Sequence, residues 1–255
     1  MALVRKMEDT DLLEVSIWKQ GKSYLVKPRG FGADAVASAT WKRTLAKMAQ
    51  DRVIFDQAAG KELIEKKGDP IVYEVINLWK FAPKIAELGR KSGIACDLTI
   101  INYGVISTSG NGELFCTYGH GHEKRLGEIY SVLAGKASLI MYLPGSNLTR
   151  VVRMGKGDEC YIPPDWVHRT CCGDEGVVLA GFVPHAAGHD YEAVRALGFP
   201  YHVFYDEKGG KVSYKRNPRF ENASLETVDA EGSLGAVKKF FTEPLELKRM
   251  LEKEA

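Results

Sequence analysis

Thr117-Tyr118-Gly119-His120-Gly121-His122-Glu123-Lys124-Arg125-Leu126-Gly127-Glu128-Ile129-Tyr130-Ser131-Val132-Leu133-Ala134-Gly135 is the stretch around which the rest of the chain is organised. On a β-strand, residues two apart point to the same side. His120 and His122 therefore aim two imidazoles one way, and Gly121 leaves the other face uncrowded. Glu128 follows, and a third histidine, His168, comes later behind the turn residues Pro163 and Pro164. A single histidine in a core is usually a hydrogen-bonded packing residue. Two at this spacing, followed by an acid and a third histidine, point to a metal site instead. Three neutral imidazoles and one carboxylate suit one divalent transition metal, with open positions for substrate or water. Iron, manganese, nickel and zinc all satisfy that donor set.

The chain around this stretch has the texture of a mainly β protein. From Asp97 to about Val212, short apolar runs recur between Gly, Asn, Ser and Pro. They are 98–102, 113–116, 128–133, 138–142, 150–154, 159–162, 168–171 and 177–183. Spacings of about ten residues with turn signals between them are the mark of an antiparallel sandwich or barrel. Before this region, 14–18 and 23–26 read as a hairpin around Gln20-Gly21. Asp56 reads as the N-cap of a helix carrying Leu63 and Ile64 that Gly68 and Pro70 end. Ile71–Trp79 reads as a strand rich in β-branched and aromatic residues, and 81–91 as one or two helical turns. The spacing predicts no long helix in the barrel before 190–197. After it, 233–241 and 244–253 read as amphipathic helices, with Pro244 in a first turn. The expected organisation is an N-terminal extension of strands and short helices over 1–95, a barrel with the metal site over 96–220, and a C-terminal helical tail over 221–255.

Bulk properties exclude several function classes. The 255 residues are 45% hydrophobic and 27% charged, which is ordinary globular composition. The 35 basic and 33 acidic residues leave a net charge of +2, so nucleic acid is not an expected partner. No run of ~18 apolar residues exists to span a membrane. Glu8, Asp9, Asp11 and Glu14 stand where a signal peptide would need an apolar stretch. The five cysteines (Cys96, Cys116, Cys160, Cys171 and Cys172) are odd in number and irregularly spaced, which predicts reduced thiols and a cytoplasmic protein. Adjacent Cys171 and Cys172 lack the two-residue spacer of a zinc knuckle.

The set His120, His122, Glu128 and Gly135, together with Gly157, Pro163 and His168, resembles the two motifs of the cupin superfamily. This implies a double-stranded β-helix, or jelly-roll, barrel. The gap between His122 and Glu128 is wider than in the superfamily motif, Asp165 stands where it has Gly, and Cys172 where it has Asn. Those departures resemble one branch. Thr117–Gly135, Tyr161–Thr170 and Pro184-His185-Ala186-Ala187-Gly188-His189-Asp190-Tyr191 are similar to the cupin-type glucose-6-phosphate isomerases. So are Asp69–Val75 and Asn217-Pro218-Arg219. The resemblance covers roughly 40–221. It implies a metal-dependent aldose–ketose isomerase, a homodimer, acting on glucose 6-phosphate and fructose 6-phosphate, with Fe2+ favoured. It implies His120, His122, Glu128 and His168 as ligands, Tyr73, Thr99, Thr117 and Gly119 at the phosphate, and Tyr130, His189 and Tyr191 around the sugar. The family usually carries Lys or Arg where this chain has Tyr118, and often Tyr where it has Val183.

The chemistry agrees with those roles. Isomerisation moves hydrogen between C1 and C2 of the open-chain sugar. A divalent metal at O1 and O2 would stabilise the developing oxyanion. Glu128 could carry the proton through a cis-enediol; a direct hydride shift, with Glu128 only a ligand, is the competing route. His189 could assist ring opening by proton transfer. Tyr130, two residues after Glu128, shares its face. His185, His202 and Trp166 read as surface or packing residues. Two other classes share the ligand set. One is a cupin dioxygenase holding iron or manganese, and the other a sugar-sensing regulator, which would need a DNA-binding helix that the tail does not offer. An isomerase of another sugar phosphate, such as mannose 6-phosphate, is the nearest alternative substrate reading.

Overall fold

Strand alternation builds the molecule. In Ile94–Ile101, residues Ile94, Cys96, Leu98 and Ile100 are buried on one face, while Ala95, Asp97 and Thr99 turn to the other, where a cavity lies. This one strand separates a structural layer from a chemical one.

The computed structural model describes residues 8–253. The first seven residues of the expected N-terminal extension and the last two of the C-terminal tail lie outside them. The chain begins with α1 (Asp9–Leu12), the hairpin β1 (Val15–Gln20) and β2 (Ser23–Pro28), α2 (Ala33–Ser38), β3 (Thr40–Thr44), α3 (Leu45–Gln50) and α4 (Gln57–Lys67). It continues with β4 (Ile71–Asn77), α5 (Leu78–Phe81), α6 (Pro83–Ser92), β5 (Ile94–Ile101), β6 (Val105–Ile106) and β7 (Asn111–Leu114). Then come β8 (Glu128–Tyr142), β9 (Leu148–Gly155), β10 (Glu159–Ile162), β11 (Val167–Pro184), α7 (Glu192–Leu197), β12 (Tyr201–Asp206) and β13 (Lys211–Arg216). The chain ends with β14 (Ser224–Asp229), α8 (Ala236–Thr242) and α9 (Pro244–Leu251).

The fold is mainly β. One sheet runs β14-β9-β8-β11-β5-β4-β3, with β10 also on β8, and a smaller one runs β13-β12-β7-β6. Val75 and Leu179 of the large sheet share a core with Leu114 and Val203 of the small one. The two sheets meet through the isolated bridges Cys116–Cys171 and His120–His168, so the barrel is not closed by one continuous ladder. The other face of the large sheet is covered by α1, α5, α6, α8 and α9, with Phe240, Leu247 and Leu251 fully buried there. Each such side chain contributes about 1.5–3 kcal/mol of burial.

Several local expectations change. The hairpin at Gln20-Gly21 is present. So is the helix capped by Asp56, whose carboxylate accepts the Ala59 N–H at 2.9 Å. The strand expected over 71–79 stops at Asn77, and Leu78 and Trp79 begin α5. Runs 128–133 and 138–142 are one strand, β8, and 168–171 and 177–183 are one strand, β11; Gly135 and Gly176 sit inside them as irregular points, not as ends. The C-terminal segment contributes a strand as well as two helices, since β14 pairs in parallel with β9. The expectation of five reduced thiols is corrected. Cys116 and Cys171, 55 residues apart in sequence, face each other across the junction of the two sheets and form a disulfide. That separation left no spacing signal to read. Cys96, Cys160 and Cys172 are free.

Candidate metal and substrate site

The segment carrying His120 and His122 is extended but is not a regular strand. It is held by bridges from His120 to His168 and from Gly121 to Asp190. Gly119 breaks it at φ 85°; a Cβ there would lie 2.5 Å from Phe199 and 2.8 Å from the His168 carbonyl. Only glycine allows the chain to turn here and present both histidines inward.

The four expected ligands converge. The nearest atoms of His120, His122, Glu128 and His168 all lie within 4.8 Å of one another. Oε2 of Glu128 stands 3.0 Å from His168 Nε2, 3.4 Å from His122 Nε2 and 3.8 Å from His120 Nε2. His122 Nδ1 sits 2.7 Å from the Leu126 carbonyl, which fixes the proton on Nδ1 and leaves Nε2 with its lone pair inward. His120 Nε2, His122 Nε2 and Glu128 Oε2 are buried with no hydrogen-bond partner. Buried polar atoms are rarely left so. A divalent cation would satisfy all three, and the residues fit one.

The charges are tuned to match. Burial works to raise the Glu128 carboxyl, but the close His122, His168 and His120 imidazoles hold it well below the usual carboxylate range. Burial pushes His120 far below the ordinary histidine value, keeping it neutral. Burial also pushes the Tyr130 phenol well up, and its hydroxyl lies 3.3 Å from His168 Nε2.

A cavity of 380 Å³ opens from this cluster. A larger groove of 760 Å³ beside the N-terminal hairpin contains no histidine. The smaller cavity is lined at one end by His120, Glu128, Tyr130 and His168 and elsewhere by Tyr73, Thr99, Thr117, Gly119, His189 and Tyr191. Every residue expected from sequence except His122 thus lines it, and His122 lies behind as part of the cluster. His189 packs 4.5 Å from the His120 ring and stacks at 6.0 Å on Tyr191, and burial lowers its pKa. The Tyr73 hydroxyl accepts the Tyr118 N–H at 3.4 Å, and the Thr117 hydroxyl oxygen accepts the Thr170 N–H at 3.0 Å.

Other residues join them. His185 also lines the cavity, its ring 4.8 Å from Trp79. His202 is buried in a cluster with Glu113 and Arg169, as a packing residue. Trp166 packs on the core. Sequence reasoning missed two charged residues. Asp97 lines the cavity wall. Arg43 faces Tyr73 across β3 and β4, and its guanidinium lies 5.3 Å over the Tyr118 ring. It forms no ion pair among the described residues, and its Nε is buried without a partner. No spacing rule links position 43 to 118; only strand pairing does.

A family model described as glucose-6-phosphate isomerase matches residues 43–220. The chain belongs to the glucose-6-phosphate isomerase family. Curated members include one from Thermococcus litoralis, 32% identical over 182 residues, covering 70% of this chain and 88% of that protein. Another, from Pyrococcus horikoshii, is 34% identical over 169 residues, covering 66% and 82%. A bacterial member from Sinorhizobium medicae is 28% identical over 182 residues, covering 70% and 78%. The family match starts at Arg43 and ends at Phe220, so α8 and α9 lie outside it. Among solved structures, an oxalate decarboxylase from Bacillus subtilis aligns with a TM-score of 0.32 and 13% identity, over 44% of this chain and 24% of that one. A likeness at that level adds nothing to the assignment.

Proposed function

We propose that this chain interconverts glucose 6-phosphate and fructose 6-phosphate, using one divalent transition metal held by His120, His122, Glu128 and His168. The observation that carries this is the set of three buried, partnerless donor atoms at one end of a cavity. Tyr73, Thr99, Thr117 and Gly119 line the same cavity, and their hydroxyls and a backbone N–H would suit a phosphate. A bound metal would act as a Lewis acid on O1 and O2 of the open-chain sugar.

The protein's own residues do the rest. Glu128 turns Oε2 to the histidines, while Oε1 faces the cavity wall at Gly181. That second oxygen is the base that takes a proton at C2 and returns it at C1, through a cis-enediol. His189 and Tyr191 flank the ring-opening end, where His189, neutral at pH 7, accepts a hydroxyl proton. Tyr130 donates a hydrogen bond toward the reacting oxygens. Arg43 supplies the positive charge that Tyr118 does not, acting on the phosphate through the Tyr73–Tyr118 wall. Phosphate binding at the far end orients the reacting carbons.

The test is a coupled assay on protein first stripped by a chelator and then loaded with Fe2+ or Mn2+, with glucose 6-phosphate, fructose 6-phosphate and mannose 6-phosphate compared side by side. Activity should vanish on stripping and return on loading. Full activity in the stripped protein would remove the metal from the proposal. Oxygen uptake without isomerisation would replace the reaction.

A further inference from the structure

Strand register rules the cavity wall. β8, β11, β5 and β4 lie side by side in that order. Thr99 is paired with Val75 on one side and Leu179 on the other, and Leu179 with Val132. Two residues along, Asn77, Asp97, Gly181 and Tyr130 form the next row across the four strands. Glu128, two residues before Tyr130, stands on the row beyond. Rows on one face of a strand are about 6.6 Å apart. From the phosphate end to the reacting end, the wall therefore presents Thr99, then Asp97, then Glu128.

Asp97 is an expensive residue to place there. Its Oδ1 accepts the Asn77 amide at 2.9 Å, and the Trp79 indole N–H is a second donor. No ion pair to it exists among the described residues. Burial pushes its carboxyl up to about 7. A carboxylate has about four lone-pair sites, so acceptor capacity is left over, and the accessible edge of Asp97 lines the cavity. Gly181, its neighbour in the row, keeps that space open. A Cβ at 181 would lie 3.2 Å from the Tyr130 ring and 3.4 Å from Glu128 Oε1.

We infer that Asp97, held by Asn77 and Trp79, accepts a hydroxyl from the middle of the sugar chain, at C3 or C4, and so selects the configuration of the substrate. This rests on the sugar-phosphate reading given above. A chain anchored by its phosphate near Thr99, with C1 and C2 at Glu128, passes its middle carbons over the Asp97 row. A site built to hydrogen-bond a hydroxyl rejects the analogue that cannot reach it, because its own buried group is then left unpaired.

The test is equilibrium binding, read by calorimetry, of the reduced and unreactive forms of glucose 6-phosphate, allose 6-phosphate (the C3 epimer) and galactose 6-phosphate (the C4 epimer). The metal-loaded full chain is used with its Asp97→Ala and Asp97→Asn variants, and circular dichroism checks the fold of each. The parent should bind the glucose-derived polyol phosphate at least about tenfold tighter than one of the epimers. In Asp97→Ala that ratio should fall toward one, and Asp97→Asn, which keeps one acceptor oxygen, should lie between. An unchanged ratio in both folded variants overturns the inference, as does a parent that binds the polyols equally or not at all. Collapse of the ratio in a protein that fails the isomerase assay still supports Asp97 and overturns only the reaction.

Discussion

Gly127 donates its backbone N–H to the carbonyl of Leu251 at 2.7 Å, tying the end of the last helix to the residue just before Glu128. The C-terminal tail lies outside the region shared with the family, yet it braces the start of the strand that carries a candidate ligand. α9 is held down by Leu247 and Leu251, both fully buried. Leu247→Ala should cost about 2–5 kcal/mol in a urea titration. It should also weaken metal binding, because the anchor at Gly127 loosens. Unchanged stability would show that the helix docks without energetic consequence.

Glu128→Gln keeps the size of the side chain but removes its charge. Metal content should fall without vanishing, since three histidines stay in place, whereas His168→Ala should lose metal outright. Turnover of metal-loaded Glu128→Gln should drop by about 10²–10⁴-fold. Full turnover would eliminate the base role and favour the hydride shift.

Arg43→Ala should raise KM for fructose 6-phosphate and weaken inhibition by inorganic phosphate, each by about tenfold or more, with a smaller change in kcat. The parent's KM should rise with ionic strength more steeply than the variant's. Equal phosphate inhibition in both proteins would remove Arg43 from the phosphate end.

Asp97 makes a pH-dependent stability cost measurable. Folding raises its pKa from 3.8 to about 7. Between those values the folded protein holds a proton that the unfolded chain has released, so stability falls as pH rises through that window. Asp97→Asn removes the cost. In metal-free protein its Tm should exceed the parent's at pH 8, by the equivalent of a few kcal/mol, roughly, and the gap should close toward pH 4. A gap independent of pH would mean that Asp97 is not buried as a charge.

Gly119→Ala should destabilise by about 1–3 kcal/mol from the positive φ alone. The added contacts with Phe199 and the His168 carbonyl should also lower metal stoichiometry. A Gly119→Ala protein with parental Tm and full metal content would show that the turn relaxes freely.

The sequence by itself determined the donor set. His120, His122, Glu128 and His168 are chemically specific, and their spacing with the Pro163-Pro164 turn carried both the metal reading and the family. It also determined the mainly β texture, because apolar runs bounded by turn residues depend on local preferences alone. Tertiary structure decided what depends on pairing across long stretches of chain. The joining of two pairs of runs into β8 and β11, the parallel strand β14, and the Cys116–Cys171 contact leave no local signature. Arg43 and Asp97 are the sharpest cases. Each is an ordinary charged residue in a strand, and nothing nearby in sequence marks it. Each acquires meaning only from the residue that register sets opposite it: Tyr73 beside Arg43, and Asn77 and Gly181 beside Asp97. A period-2 strand tells which residues share a face, but the partners on that face are chosen by the fold.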